Sequence, residues 1–352
     1  MNRGGQRRRH ISLASIAVST LCVALTGCAG HQQSVIDPGG PQADRIAHLF
    51  WFFTLLLAAI FIVVMALTLW ALVTLKHPAD LKLLQADYVP SPPTEKKLSR
   101  VVTGATVATV LILFVLLFSS VFTGKAIADL GQTKRGMVIE LTGSQWWWQA
   151  QYDNPDSSRI LVTANEIHIP VGRPVMIMGR SHDVIHSFWV PGLHGKRDLI
   201  PSRVTTEWIQ ADKPGAYRGQ CAEFCGLQHA HMAIWVIAEP EAVFDQWMER
   251  QLQPASAPTD PVLLHGQQVF LKNECVFCHA IRGTTAAGQV APDLTHFGSR
   301  RGIAANTLPN TRGNLTGWIV DPQSVKPGNH MATIAVNPED LQPLAEYLES
   351  LK

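Results

Sequence analysis

The sequence predicts a multidomain membrane protein: a two-helix transmembrane hairpin, then an all-β Greek-key domain, then an all-α domain. Three observations predict it. The 352 residues are 47% hydrophobic and 16% charged with a formal net charge of +2, a balance that points to membrane segments and argues against a nucleic-acid binder. Residues 49–75 and 101–124 contain no Asp, Glu, Lys or Arg, and each is long enough to cross a hydrocarbon core of about 30 Å. From residue 138 the pattern turns to short β-rich runs broken by Gly and Pro, and beyond residue 262 to helical periodicity.

Residues 1–27 read as a lipoprotein-type signal peptide. Arg7, Arg8 and Arg9 form a basic start, an apolar run follows, and "LTGC" ends it with Cys28 as the acylated N-terminus. A third membrane helix is the competing reading, against which stand the shortness of the run and the small residues before Cys28. An exported segment (28–44) leads to the first transmembrane helix (45–76), a loop (77–98) and the second helix (99–124). Around that loop Lys76, Lys82, Lys96, Lys97 and Arg100 outnumber Asp80, Asp87 and Glu95, whereas residues 29–48 hold Arg45 as their fixed cation. By the positive-inside rule the loop is cytoplasmic. Everything after Gly124 then lies on the outer side of the bacterial cytoplasmic membrane, where unpaired thiols oxidise.

Residues 125–250 hold "MVIELTG", "EIHIPVGRPVMIMG", "TTEWIQADKPGAYRG" and "MAIWVIAE", which suggest an antiparallel sandwich or Greek-key barrel ending near Glu239, then a short amphipathic helix over 240–252. "QPASAPTDP" marks a linker, 251–261. In the last domain, 262–352, a first helix is expected over 266–280. The closing helix should start after Asn337 as N-cap, with Pro338 at its first position and Glu339 and Asp340 in its first turn.

The stretch "GQCAEFCGLQHAHM", residues 219–232, supplies Cys221, Cys225, His229 and Met232, and His186 lies upstream near a strand end. Soft thiolates with imidazole and thioether select copper. Two cysteines can each bridge two copper ions, with His186 and His229 taking one apiece and Met232 and a backbone carbonyl, that of Glu223, completing the set. A Cys221–Cys225 disulfide would leave the histidines and Met232 unexplained, and a zinc site has no need of Met232. His231 reads as a surface neighbour. Further on, Cys275-Val276-Phe277-Cys278-His279 is the C-x-x-C-H pattern for covalent haem c with His279 as axial ligand. Met331 follows as the distal ligand, with the adjacent His330 as a bis-histidine alternative. His265 and His296 read as surface histidines. The cysteines then divide among signal (Cys22), lipid (Cys28), copper and haem.

"SQWWWQAQY", "VIHSFWVPGL", "RDLIPSR" and the cysteine loop, after two membrane helices, resemble subunit II of the haem-copper cytochrome c oxidases over about residues 37–250. Residues 262–352 resemble a class I cytochrome c, through Gly266, Phe270, Pro292, Met331 and Tyr347. The resemblance implies a cupredoxin-like domain with a dinuclear copper (CuA) centre on His186, Cys221, Glu223 through its carbonyl, Cys225, His229 and Met232. It also implies a magnesium ion held by the Glu223 carboxylate at the boundary with subunit I. It makes Trp146, first of Trp146-Trp147-Trp148, the point where electrons come in, although core packing explains tryptophans in such a run equally. Asp198 and Arg203 match positions near the path to the haem of subunit I. Glu95 matches a proton-path carboxylate or is a solvated loop charge. Pro292 would orient His279 through its carbonyl.

The implied function is that of an oxidase subunit relaying electrons from haem c to copper and on to subunit I, where oxygen becomes water. Its partners would be subunits I and III, the lipid membrane, and a cytochrome c or quinol-oxidising complex as donor, with no nucleic acid. The alternatives are the electron-input subunit of a copper-containing nitric oxide reductase, and a membrane-bound redox or copper carrier.

Overall fold

The computed structural model describes residues 33–74, 92–130 and 136–352. The signal at 1–27, Cys28 and the loop from 75 to 91 lie outside the described residues.

Helices α1 (Pro41–Thr74) and α2 (Pro92–Leu130) pack against each other. At 1.5 Å per residue they run about 51 and 58 Å, longer than the hydrocarbon core. Both therefore extend past the apolar spans read from sequence. Pro41 opens α1 with Asp44 in its first turn, and Glu95 likewise lies in the first turn of α2. The start of α1 is tied to the β domain. Gly39 N donates to Gly192 O (2.7 Å), Asp212 N to Gly39 O (2.7 Å), and Gln42 Nε2 to Trp208 O (3.1 Å).

The β domain contains β1 (Met137–Ser144), β2 (Trp147–Tyr152), β3 (Leu161–Ala164), β4 (Glu166–Pro170), β5 (Val175–Ser181), β6 (His186–Trp189), β7 (Lys196–Leu199), β8 (Thr205–Ile209), β9 (Gly215–Gln220) and β10 (Ala233–Glu239). One sheet runs β3-β2-β1-β5-β8, a second β4-β10-β9, and β6-β7 form a hairpin. The expected all-antiparallel pairing is corrected at two places, since β1 runs parallel to β5 and β10 parallel to β4. Each sheet thus joins strands distant in sequence, as a two-sheet sandwich with crossovers requires. Alternation sets the core face: Ile139, Leu141, Trp148, Ala150 and Tyr152 point inward from β1 and β2. They meet Ile167, Ile169, Ile177, Phe188 and Leu199.

Strand β4 is buried along its whole length, because its second face is covered as well. There His168 stacks on Trp247 of α3 (Glu241–Leu252), with ring centroids 4.1 Å apart at 11°. The linker is also held down. Ala255 N donates to Arg282 O, and the Arg282 guanidinium donates to the carbonyls of Gln251 and Leu252.

The last domain departs from expectation at its first helix. Helix α4 spans Pro261–Lys272, capped by the Asp260 side chain on Val262 N and Leu263 N, and ends at Asn273. The cysteines sit on a separate single turn, α5 (Cys275–Cys278). A two-strand ribbon (β11 Gly302–Ile303, β12 Leu308–Pro309) follows, then α6 (Arg312–Val320), α7 (Pro322–Val325) and α8 (Pro338–Ser350). Asn337 occupies the N-cap position, but its side chain makes no cap hydrogen bond and donates to Asp340 Oδ2 instead. Helices α4 and α8 cross at Gly266, where any Cβ would come within 2.0 Å of Pro343 O. Phe270 and Tyr347 pack beside the crossing.

His168 supplies a pH dependence. Burial disfavours its charged ring, but hydrogen bonds to Glu166 and Glu239 prevail and raise its pKa above the ordinary 6.5. The stabilisation is then complete below about pH 6.5 and is lost as the pH climbs through the raised value. Thermal unfolding of the β domain, followed by tryptophan fluorescence in pH steps, should show a midpoint that falls over this window. His168→Gln should remove that fall.

Candidate metal centre and haem motif

The loop between β9 and β10 is closed by Cys221 N donating to Met232 O (2.9 Å) and is tied to β6 by Ala222 N donating to Ser187 O (3.0 Å). Gly226 takes the turn within it, with φ +110°. A Cβ there would meet Gln145 Nε2 at 2.9 Å and Trp146 Cζ2 at 3.2 Å, so the position favours glycine on both counts.

This closure gathers the donors expected from sequence. Cys221 Sγ lies 3.7 Å from Cys225 Sγ, 3.9 Å from His186 Nδ1 and 3.3 Å from the Glu223 carbonyl. Cys225 Sγ lies 3.6 Å from His229 Nδ1 and 3.9 Å from Met232 Sδ. The sulfurs are too far apart for a disulfide, whose S–S bond is about 2.05 Å. His186, which opens β6 rather than ending a strand, is fully buried, as are both thiols and Met232. The Glu223 side chain is exposed.

Protonation follows from this geometry. The Cys225 S–H, with His186 and nearby amides, holds the Cys221 thiol far below its ordinary value against the effect of burial. The proton on Cys225 is retained by the neighbouring sulfur and by burial. Burial disfavours the charged His186 ring, but hydrogen bonds to Cys221 and to Asp183 Oδ1, which accepts from Nε2 at 2.8 Å, prevail and raise its pKa; a metal displacing the Nδ1 proton would find that lone pair facing Cys221. Two thiols, two imidazoles, a thioether and a carbonyl suit a soft, borderline metal such as copper.

Trp146 is buried against this loop, its Nε1 donating to Cys225 O (3.0 Å) beside Gln145 Nε2 (2.7 Å). Its ring centroid lies 6.1 Å from that of His330. Trp148, by contrast, is a core residue packed edge-on against His186 and Phe188.

In the helical domain Cys275, Cys278 and His279 share one turn. His279 Nδ1 lies 2.7 Å from Pro292 O, and burial keeps its pKa below the ordinary value, so the imidazole is neutral and can ligate through Nε2. Two thiols and an oriented neutral imidazole fit covalent haem c. Met331 sits half-buried on a separate loop, fixed by Asn329 Oδ1 on its N–H and Gln323 Nε2 on its carbonyl.

Asp198 and Arg203 are exposed on the β6-β7 hairpin and the turn after it. His265 is exposed and meets Asp340 at 2.7 Å, whereas His296 is buried with Nε2 3.0 Å from Gln253 O, so the expected surface location is corrected for it. Sequence reasoning missed Asp183, although it lies three residues before His186, and it missed Lys326, whose burial nothing local signals.

Fold and sites together define a membrane-anchored redox protein in which a cupredoxin-like domain is joined to a c-type cytochrome domain. Residues 154–239 match the cytochrome c oxidase subunit II periplasmic domain family, and residues 263–352 match the cytochrome c family. Cytochrome c oxidase subunit 2 of Alkalihalophilus pseudofirmus is 35% identical over 96% of this chain and 96% of its own length. The same subunit of Bacillus sp. strain PS3 is 34% identical over 70% of this chain and 73% of its own, and that of Bacillus subtilis 26% identical over 93% and 94%. The chain belongs to the cytochrome c oxidase subunit II family, in the form that carries a cytochrome c domain. The matched families imply copper in the β domain and haem c in the helical one.

Asp183 tests the geometry around His186. Asp183→Asn removes the carboxylate that fixes the tautomer, and copper affinity measured by competition with a chelator should fall about 10–100-fold. Asp198→Asn, on the exposed hairpin, should leave it unchanged.

Proposed function

We propose that this chain is the electron-input subunit of a terminal oxidase, carrying electrons from a haem c to a dinuclear copper centre and delivering them to subunit I for the reduction of oxygen to water. His186, Cys221, Cys225, His229, Met232 and the Glu223 carbonyl would hold the two coppers. Cys275, Cys278, His279 and Met331 would hold the haem. These groups would supply reversible one-electron chemistry, and the protein supplies spacing, dryness and orientation.

The observation that carries this reading is the position of Trp146. One end of its indole donates to the carbonyl of a copper-loop cysteine, and its ring faces His330, next to the proposed haem ligand Met331. A single aromatic side chain therefore spans the two candidate redox loops. Asp183 accepts from His186 Nε2 and Pro292 O lies 2.7 Å from His279 Nδ1, so each would orient its imidazole for ligation through the other nitrogen. Burial of both thiols keeps water from the sulfurs. The Glu223 main-chain carbonyl faces Cys221, and its exposed carboxylate would bind magnesium at the boundary with subunit I.

Residues 41–74 and 92–130 would anchor the chain in the bacterial cytoplasmic membrane, with both redox domains on the outer side and subunits I and III alongside. A cytochrome c or a quinol-oxidising complex would be the donor. A nitric oxide reductase role draws no support from the relatives, which are named as oxidase subunits.

Electron paramagnetic resonance of the copper- and haem-loaded chain tests the assignment. The parent should show one unpaired electron shared over two coppers beside a low-spin haem. Cys221→Ser should abolish the shared signal and leave the haem reducible, and a normal copper spectrum in that variant would refute the ligand set. Met331→Ala should lower the haem reduction potential while sparing the copper signal.

A further inference from the structure

Lys326 is 3% exposed, although it lies on a loop between α7 and α8. Its Nζ donates to three main-chain carbonyls: Trp146 O at 2.8 Å, His231 O at 2.9 Å and Ala304 O at 3.2 Å. Three acceptors match the three N–H bonds of an ammonium group. Two of these carbonyls belong to the β domain and the third to the haem domain, so one side chain closes the boundary between them.

The contacts around Lys326 are arranged the same way. Gln228 Nε2 donates to Pro327 O (2.6 Å), and Ala233 N to Ala305 O (3.1 Å). Arg301 N donates to the buried Glu166 Oε2 (3.1 Å), and Asn306 Nδ2 to Asn165 O (2.8 Å). Beyond Lys326 the chain turns at Gly328, with φ +83°, and reaches His330 and Met331. The lysine thus grips the backbone of Trp146, whose indole grips Cys225, and does so from the loop that carries Met331.

We infer that Lys326 is a positioning residue which locks the haem domain onto the β domain, holding the 326–331 loop against Trp146 so that the two redox sites keep one fixed separation. Its purpose rests on the relay proposed above; the lock itself is a statement about domain pose. Burial pushes the Lys326 pKa down to about 7; the hydrogen bonds that its protonated form makes to the three carbonyls are charge-assisted and, in a dry boundary, strong. Their directionality fixes orientation in a way that a tether cannot.

The test uses the full chain with copper and haem loaded. Lys326→Met keeps the stem and removes all three donors. Hydrogen exchange should report the pose at two amides that bridge the boundary, those of Ala233 and Arg301. Both should exchange at least about tenfold faster in the variant, as expected for loss of charge-assisted bonds. After flash reduction of the haem, electron arrival at copper should slow by a similar factor and become sensitive to solvent viscosity. The copper resonance spectrum and haem potential should stay at parent values.

Parent-like exchange at both amides would overturn the lock. Faster exchange with no haem-to-copper transfer even in the parent would keep the lock and sink the relay. If Lys326→Met fails to accumulate, Lys326→Gln, which retains an N–H2 donor, takes its place; intermediate exchange supports the proposal and unchanged exchange overturns it.

Discussion

Two sulfurs held 3.7 Å apart in a dry interior are the constraint around which the rest of this molecule is arranged. Like charges at that distance in a low dielectric repel strongly. The pair therefore keeps a proton unless positive charge is brought to it, and metal ions are the means that the surrounding donors fit. Closing the loop through Cys221 N and Met232 O presents both sulfurs and the thioether to one place. The strand that starts at His186 and the turn at Gly226 bring an imidazole to either sulfur. Asp183 then resolves the ambiguity of His186, because a carboxylate on Nε2 commits Nδ1 to the sulfur side.

That arrangement passes outward to the domain boundary through the Cys225 carbonyl, which accepts from both Gln145 and Trp146. Trp146 cannot tilt without breaking that bond, and its own carbonyl is held by Lys326. Strand β4 serves the same boundary from another side. Its inward residues fill the sandwich, and its outward Glu166 accepts from Arg301 N while His168 stacks under Trp247. The second face of β4, which a sandwich strand would ordinarily expose to water, is thus covered from two sides, by α3 of the same domain over His168 and by the haem domain at Glu166.

Most of this was legible in the sequence where chemistry and spacing coincide. The cysteine loop and the C-x-x-C-H turn needed no tertiary information, because their candidate ligands are clustered in short segments. Strand positions around "MVIELTG" and "MAIWVIAE" followed from alternation. The parallel pairing of β1 with β5 did not, since strand direction depends on crossovers that periodicity does not encode. The first haem-domain helix begins earlier than periodicity indicates because Asp260 and Pro261, a cap and a first-turn proline, look like linker residues when read by composition alone. His296 and Lys326 were invisible for a related reason: each is polar, lies in a loop, and is buried only because another segment arrives to accept its hydrogen bond.

The linker and the boundary divide the work of association between them. A flexible tether raises the effective concentration of one domain at the other but leaves orientation free. Here the linker is itself pinned, by Arg282 on the carbonyls of Gln251 and Leu252 and by Ala255 on Arg282 O, so less freedom remains for the boundary to remove. What holds the boundary is mostly main-chain carbonyls meeting a few side-chain donors, with the Arg301 guanidinium over Trp235 as an aromatic contact. Such a surface is polar, in keeping with interfaces between domains of one chain. Its bonds are directional, so the gain is in geometry more than in affinity. Covalent linkage already guarantees that the two domains meet; the hydrogen bonds decide how they face each other, and the proposed relay would depend on that facing.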